Sequence, residues 1–243
     1  EDPINGDQIR QKEKRTTFGL NSEFEKRTSI KNTPFNYQLG IGLRQDKVDD
    51  IELSHTANRV TTLQNIMLGD VNETNLSGYA NTEFKFDKLV LNAGLRYDYF
   101  KFDYYDKLSP TYSNEAINKG ILSPKLNFLY KHNDKLQLFL KSGKGFHSND
   151  TRVNVANGGR KTLPASYGSD LGFVWKPTSK LIFNSAVWYL FLEQEFVYVG
   201  DEGIVEPSGK TARKGIDFGL RYQFTDWLFL NADYTYTDDK STE

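Results

Sequence analysis

Residues Lys214 to Tyr236 read KGIDFGLRYQFTDWLFLNADYTY, and their side chains alternate with a period of two. Ile216, Phe218, Leu220, Tyr222 and Phe224 share one side, while Asp217, Gly219, Arg221 and Gln223 share the other. After a break at Thr225-Asp226 the alternation resumes, with Leu228, Leu230, Ala232, Tyr234 and Tyr236 against Asn231, Asp233, Thr235 and Thr237. Successive strand residues point to opposite faces, so this segment encodes a long hairpin with one apolar, aromatic face and one polar face. Strands of globular sheets usually run about five or six residues, and these arms are twice that. A sheet with one face in hydrocarbon and the other on a wet lumen needs both the length and the division.

The same period recurs along the chain, and helical periodicity is nearly absent. Thr17–Glu25 puts Phe18, Leu20 and Phe24 on one side and Gly19, Asn21, Glu23 and Glu25 on the other. After a turn through Ser29–Pro34, Phe35–Arg44 alternates almost without fault. A polar connection is expected from about Asp46 to Asn75, with Arg59–Leu68 as an irregular strand or a packed loop. Leu76–Phe86 and Leu89–Phe102 read as a hairpin turning at Asp87-Lys88, followed by a loop over Lys107–Lys119. Ile121–Tyr130 and Lys135–Phe146 flank a turn at His132-Asn133-Asp134. A long loop, His147–Leu163, separates them from Tyr167–Trp175 and Lys180–Val199, which turn at Pro177-Thr178-Ser179. The loop Gly200–Gly209 then leads into the final hairpin. This gives roughly ten strands whose connections alternate between short turns and long loops, as in outer-membrane barrels. Lys180–Val199 is apolar on both faces, so its inward side is expected to touch a plug or a folded loop.

The fold class expected is therefore all-β: an antiparallel up-and-down transmembrane β-barrel, with a soluble β-sandwich as the competing reading. Aromatic residues gather at strand ends, where interfacial anchoring would put them. Phe84, Phe86, Tyr130, Trp175, Phe224 and Trp227 flank the short turns, and Tyr97, Tyr99, Phe146, Tyr198, Tyr234 and Tyr236 lie toward the long loops. Mean hydropathy of −0.62 does not oppose a barrel, because half of each strand and all the loops are polar. No stretch reaches the roughly 18 apolar residues of a membrane helix. With 31 Lys+Arg against 32 Asp+Glu, the balance gives no electrostatic case for nucleic acid. The chain has no cysteine, which excludes disulfides and thiolate metal sites. EDPINGDQIR is not a secretory signal, so an exported protein would have lost its beginning.

Chemistry-bearing clusters are few. His147, Asn149, Asp150 and Arg152 form the densest polar group, which would either line an outer vestibule and touch substrate or order a loop through turn hydrogen bonds. The inward Arg44, Arg96, Asp98, Asp170, Asp217, Arg221 and Asp233 would carry charge across a lumen, or form wall salt bridges. His55 and His132 are too far from His147 to share a metal. Asp201, Glu202 and Glu206 make an acidic loop that is either solvated or a weak calcium site. Asn157-Gly158-Gly159 signals a turn, with no helix after it to cradle phosphate. No nucleophile–base pair, paired catalytic carboxylates or HExxH is present, so an enzyme is not expected; His147 is the single seed for a hydrolase alternative. No cofactor is expected.

GKGFHSNDTR (Gly143–Arg152), SYGSDLGFVWKP (Ser166–Pro177) and the run from Leu181 to Asp238, including VGDEG, EPSG and the Arg213-Lys214-Gly215-Ile216-Asp217 strand entry, occur in an informative order. Together they resemble the late barrel strands of TonB-dependent outer-membrane receptors, well over Asn75–Asp238 and in pattern only before that. The resemblance implies a barrel of about 22 strands around a plugged lumen. It also implies an N-terminal plug and a TonB box, neither of which is found here, and a bacterial outer-membrane location. Residues 1–243 are therefore expected to be a partial barrel domain with DDKSTE (Asp238–Glu243) in an extracellular loop. Implied partners are membrane lipid, the receptor's own plug, the TonB complex and a small-molecule nutrient such as an iron chelate. A passive porin or small barrel, and a soluble β-rich binding module, remain the alternative functions.

Overall fold

Ten strands joined in chain order make one antiparallel sheet. The computed structural model describes residues 8–109, 114–148, 151–156, 162–199, 204–207 and 209–241. The strands of the sheet are β1 (Gln8–Ile30), β2 (Thr33–Ala57), β3 (Thr61–Lys85), β4 (Leu89–Asp106), β5 (Asn114–Lys131), β6 (Leu136–Phe146), β7 (Ala165–Thr178) and β8 (Leu181–Leu192), then β11 (Thr211–Gln223) and β12 (Phe229–Ser241). A helix, α1 (Thr151–Ala156), lies between β6 and β7, and a separate two-stranded ribbon, β9 (Phe196–Val199) with β10 (Ile204–Pro207), lies between β8 and β11. Each strand pairs with its neighbour in sequence, and β1 and β12 form the two edges.

The register keeps the two faces apart. Phe218 stands opposite Tyr234, Ile216 opposite Tyr236 and Leu220 opposite Ala232, while Asp217 opposes Thr235 and Gly219 opposes Asp233. Directly paired residues share a face, so the apolar and polar sides run across strand after strand. The apolar face is bare: Phe18 and Ile41 remain 58% and 67% exposed. Tight turns close the short-turn end. Lys31 and Asn32 take φ of 49° and 68°, the left-handed pair that matches the twist of a hairpin. At the next such turn but one, the Asn133 side-chain oxygen accepts the amides of Lys135 and Leu136, each at 2.9 Å.

Several expected loops are strand. The polar stretch from Asp46 to Asn75 is the upper part of β2 and β3, turning at Asn58-Arg59, both with positive φ. At 25 residues each, these strands reach roughly 80 Å, far beyond the ~10 residues a barrel strand needs in a bilayer. Polar residues fill the face that is apolar lower down, and polar and apolar residues mix on the other, so the period-two signal disappears although the ladder continues. β5 already begins at Asn114, inside the loop expected over Lys107–Lys119. The His147–Leu163 loop holds α1. Lys180–Val199 is not one strand: the chain leaves the sheet after Leu192, and Phe196–Val199 pairs with Ile204–Pro207 within the expected Gly200–Gly209 loop. Asp238–Ser241 continues β12, opposite Thr211–Lys214. The turn expected at Asn157-Gly158-Gly159 lies outside the described residues. On the polar side of β8, Trp188 lies over Gly215 of β11, where a Cβ would strike the indole. The missing side chain at Gly215 leaves room for the inward indole.

Leu43, Leu76 and Tyr99 form one row across β2, β3 and β4, and mark a change of polarity. Beyond them the formerly apolar face carries Gln45, Lys47, Asn72, Thr74, Lys101 and Asp103. The opposite face turns apolar there, with Val48, Val71, Phe100 and Phe102 buried. Phe100, Phe102, Ile121, Leu163 and Ala165 form one cluster, with Phe146 packed on it and α1 lying against β3, β4 and β5. Phe100 and Phe102 stack with ring centroids 5.5 Å apart. Once the outer face meets water rather than lipid, the hydrophobic effect favours a core on the inner face, at about 2–3 kcal/mol per buried aromatic side chain.

Candidate functional site

Where the polarity changes, a cavity of about 480 Å³ opens on the inner face of β1–β4, bordered by the loop that carries α1. Alternation puts Arg44, Asp46 and Val48 on one face of β2, and Arg96, Asp98 and Phe100 on the corresponding face of β4. Between them β3 supplies Glu73 and Asn75, and β1 supplies Arg15. The lining thus holds three arginines and three carboxylates.

Two arginine–aspartate clamps dominate the geometry. Arg44 Nε donates to Asp46 Oδ2 at 2.6 Å and Nη2 to Oδ1 at 3.0 Å, and Thr17 Oγ1 donates to Asp46 Oδ1 at 2.8 Å. Arg96 Nε and Nη2 donate to Asp98 Oδ2 and Oδ1, each at 2.7 Å. Bidentate, charge-assisted pairs of this kind fix orientation as well as charge. The partners differ in access. The Asp98 and Asp46 side chains are 2% and 13% exposed, against 44% and 64% for Arg96 and Arg44. Carboxylate is packed into the wall, and guanidinium is presented to the cavity. Above the apolar band, the hydrogen bonds from Arg44 hold the Asp46 carboxyl below its ordinary value; burial opposes this and Thr17 adds to it.

The loop residues divide. Ser148 and Thr151 border the cavity, and Thr151 Oγ1 donates to Glu73 Oε2 at 3.1 Å. Arg152 directs its guanidinium to the Met67 sulfur, and the His147 amide donates to the Pro164 carbonyl at 3.2 Å. Asn149 and Asp150 lie outside the described residues, as do Asp201 and Glu202 of the acidic loop, and nothing is described of the Glu206 side chain. Asp170 and Asp217 line a second hollow, of about 590 Å³, with Lys141, Asn184 and Trp188. Lys141 stands opposite Asp170, and its ammonium lies 4.8 Å from the Phe139 ring centroid. Arg221 and Asp233 share the polar face farther along, opposite Asn231 and Gly219. Arg44, Arg96 and Asp98 are therefore brought together, and the other charged positions are not brought to them.

Arg15, Asp46 and Glu73 carry no alternation signal, because beyond the apolar band the outer face of their strands is polar and the inner face mixes polar with apolar residues. Continuing the alternation two residues past Arg44 would have found Asp46. A third feature lies outside the apolar band. Lys107 Nζ sits 2.6 Å from both Asp50 Oδ1 and Asp70 Oδ1, and the Asp50 amide donates to Asp70 Oδ1 at 2.9 Å. Asp50 occupies a β-bulge with φ of 53°. The bonds to Asp50 and Asp70 push the Lys107 ammonium above its ordinary value. Burial pushes the Asp70 carboxyl up, but the bonds from Lys107 and the Asp50 amide outweigh it and hold the carboxyl low. Among the described residues no group of three or more His, Cys, Asp or Glu side chains is arranged to hold a metal ion.

Residues 2–243 match the family described as "TonB dependent receptor-like, beta-barrel". A TonB-dependent receptor of Haemophilus influenzae is 28% identical over 174 residues, covering 67% of this chain and 48% of the relative. The chain thus spans about half the length of that curated relative. Among solved structures, the ferric citrate transporter FecA superposes with a TM-score of 0.81 at 14% identity, over 97% of this chain and 37% of that one. The siderophore receptor PiuA from Acinetobacter baumannii gives 0.74 at 14% identity, over 95% and 39%. The ferric-catecholate import receptor Fiu from E. coli K12 gives 0.72 at 11%, over 96% and 39%.

Proposed function

Because this chain belongs to the TonB-dependent receptor β-barrel family, a family of outer-membrane receptors and not of enzymes, we propose that it forms wall and outer vestibule of an active transporter for an anionic nutrient chelate. The observation that carries this reading is the arrangement of Arg44 and Arg96, whose guanidiniums face the cavity while their aspartates are packed behind them. Guanidinium on the cavity side, with its carboxylate packed into the wall behind, matches carboxylate, catecholate or phosphate oxygens, which guanidinium recognises two at a time. Citrate and catecholate, named for two of the structural neighbours, are ligands of that chemistry.

In this reading substrate settles between the outer loops and the cavity. Arg44 and Arg96 hold it against the wall, with Thr151 and Ser148 as the loop side of the site. A plug fills the lumen below, against Asp170, Asp217, Arg221 and Asp233, and the TonB complex supplies the energy that moves it. His147 and Arg152 shape the loop entrance. The iron chelate is the preferred nutrient class.

The test is growth and uptake by a strain deleted for the gene and complemented with full-length receptor, offered ferric chelates of citrate and catecholate type, cobalamin and glycans. Rescue on an anionic ferric chelate, lost when TonB is removed and reduced by Arg44→Ala with Arg96→Ala, supports the proposal. Rescue that persists without TonB would instead identify a passive porin. Rescue only on cobalamin or a neutral glycan would overturn the anionic substrate class.

A further inference from the structure

The two clamped guanidiniums of the cavity have unlike surroundings. Arg44 spends its Nε proton and one Nη2 proton on Asp46, and keeps its other donors for a ligand. Arg96 does the same with Asp98. Beside the Arg96 clamp stands a neutral amide, Asn75, whose Nδ2 donates to Asp98 Oδ1 at 3.4 Å. Beside the Arg44 clamp stands Glu73, the third carboxylate of the lining, directly opposite Asp46.

Directly opposed residues lie about 5 Å apart at Cα, and two carboxylates there repel. Hydrogen bonds hold both in place, from Arg44 and Thr17 on Asp46 and from Thr151 on Glu73. Because Arg44 leans toward Asp46, its guanidinium is drawn to the level of Glu73, and these opposite charges act on each other through space. One strand spacing thus separates a group that binds carboxylate from a group that binds ammonium, and both line the same cavity.

We propose that Glu73 determines specificity: with Arg44 it reads one end of the ligand as a zwitterion, taking an ammonium while Arg44 takes the carboxylate next to it, as in an α-amino acid. Arg96 receives a second acidic arm, so the favoured chelate stays anionic overall and carries an amino-acid head. Guanidiniums alone would favour the ligand with the most negative charge. A carboxylate beside one of them is a repulsive element that penalises the bare acid and rewards the amine. A single charge at this range changes affinity by about fivefold or more. The inference rests on the cavity being the substrate site.

The experiment is a tryptophan-fluorescence titration of the full-length receptor in detergent with two ferric chelates of the same dicarboxylate frame. One carries an ammonium on the carbon next to a carboxylate, and the other carries hydrogen there. The amino form should bind about fivefold or more tightly, although it is the less negative of the two. Glu73→Gln removes the charge but keeps an acceptor for Thr151, and should reverse the order. Arg44→Ala with Arg96→Ala should weaken both chelates by about tenfold or more. Heat-modifiable gel migration reports folding of each variant, and Glu73→Met is read where Glu73→Gln does not fold. Equal or tighter binding of the bare acid by the unaltered receptor, or an unchanged preference in the folded Glu73 variant, would overturn the role of Glu73 alone. No binding of either chelate, or binding that ignores the loss of Arg44 and Arg96, would overturn the cavity as the substrate site and this role with it.

Discussion

Thr151, the first residue of α1, donates a hydrogen bond to Glu73 in the middle of β3 at 3.1 Å, tying the loop after β6 to a strand 78 residues earlier. A bond to a charged acceptor is worth about 1.5–3 kcal/mol net. Thr151→Val should therefore raise hydrogen exchange across Thr151–Ala156 about tenfold in the full receptor, and leave the turn at Phe86–Lys88 unaffected. Equal protection in the two proteins would show that the helix is held by packing alone.

Arg96 and Asp98 should respond asymmetrically to removal. Arg96→Met leaves a carboxylate buried without its cation and should cost about 3 kcal/mol or more. Asp98→Asn keeps a group that Asn75 can still contact, and leaves a guanidinium already near solvent, so it should cost less. The double change Arg96→Met with Asp98→Leu should recover part of the first loss. Denaturant unfolding of the receptor in lipid vesicles reads all three.

Phe102 is fully buried above the apolar band, whereas Phe218 is 37% exposed on the apolar face. Phe102→Ala opens a cavity that nothing refills and should cost about 3–5 kcal/mol. Phe218→Ala leaves space that lipid can occupy and should cost less than half of that. The same vesicle titration makes the comparison.

Gly40 leaves room for the Tyr79 ring, whose hydroxyl donates to Glu23 across β2 at 2.5 Å. Gly40→Ala would drive its methyl into that ring, at a cost of about 1–3 kcal/mol. Tyr79→Ala in the same chain should remove most of the penalty, so the two changes should be strongly non-additive.

The clasp of Lys107 on Asp50 and Asp70 should open at both ends of the pH scale. Asp70 is held below its ordinary value, so its contribution is complete above about pH 4 and is lost as pH falls through the lower native value. Lys107 is held above its ordinary value, so its contribution is complete below about pH 10 and is lost as pH rises through the higher native value. The groups are partly solvated, and the whole effect is about 1 kcal/mol. Protection factors of the amides around Gly69–Val71, with the intrinsic pH dependence of exchange divided out, should hold a plateau that falls away at both ends, and Lys107→Met should remove it.

The sheet was legible wherever lipid divides its faces. Phe35–Arg44 and Lys214–Tyr236 alternate because one side must be apolar, and the short turns at Asp87, Asn133 and Asp226 fall where the chain reverses. That rule stops at Leu43, Leu76 and Tyr99. Farther out the outer face turns polar and the inner face mixes polar with apolar residues, so residues 46–75 carried no strand signal, although β2 and β3 continue there to Ala57 and back from Thr61. The cavity was half legible for the same reason: Arg44, Arg96 and Asp98 lie at the last alternating positions, while Arg15 and Glu73 lie past them. The docking of α1 had no local signal, because Val155 and Leu163 are buried by strands distant in sequence.

Backbone pairing joins each strand only to its neighbours in the sheet, like panels of a folding screen. α1 lies instead across three panels at once, β3, β4 and β5. It lies there as a brace on the outer rim, tying the panels together where the cavity opens. A ligand that dislodged α1 would therefore do more than clear an entrance: it would release the curvature of the rim itself.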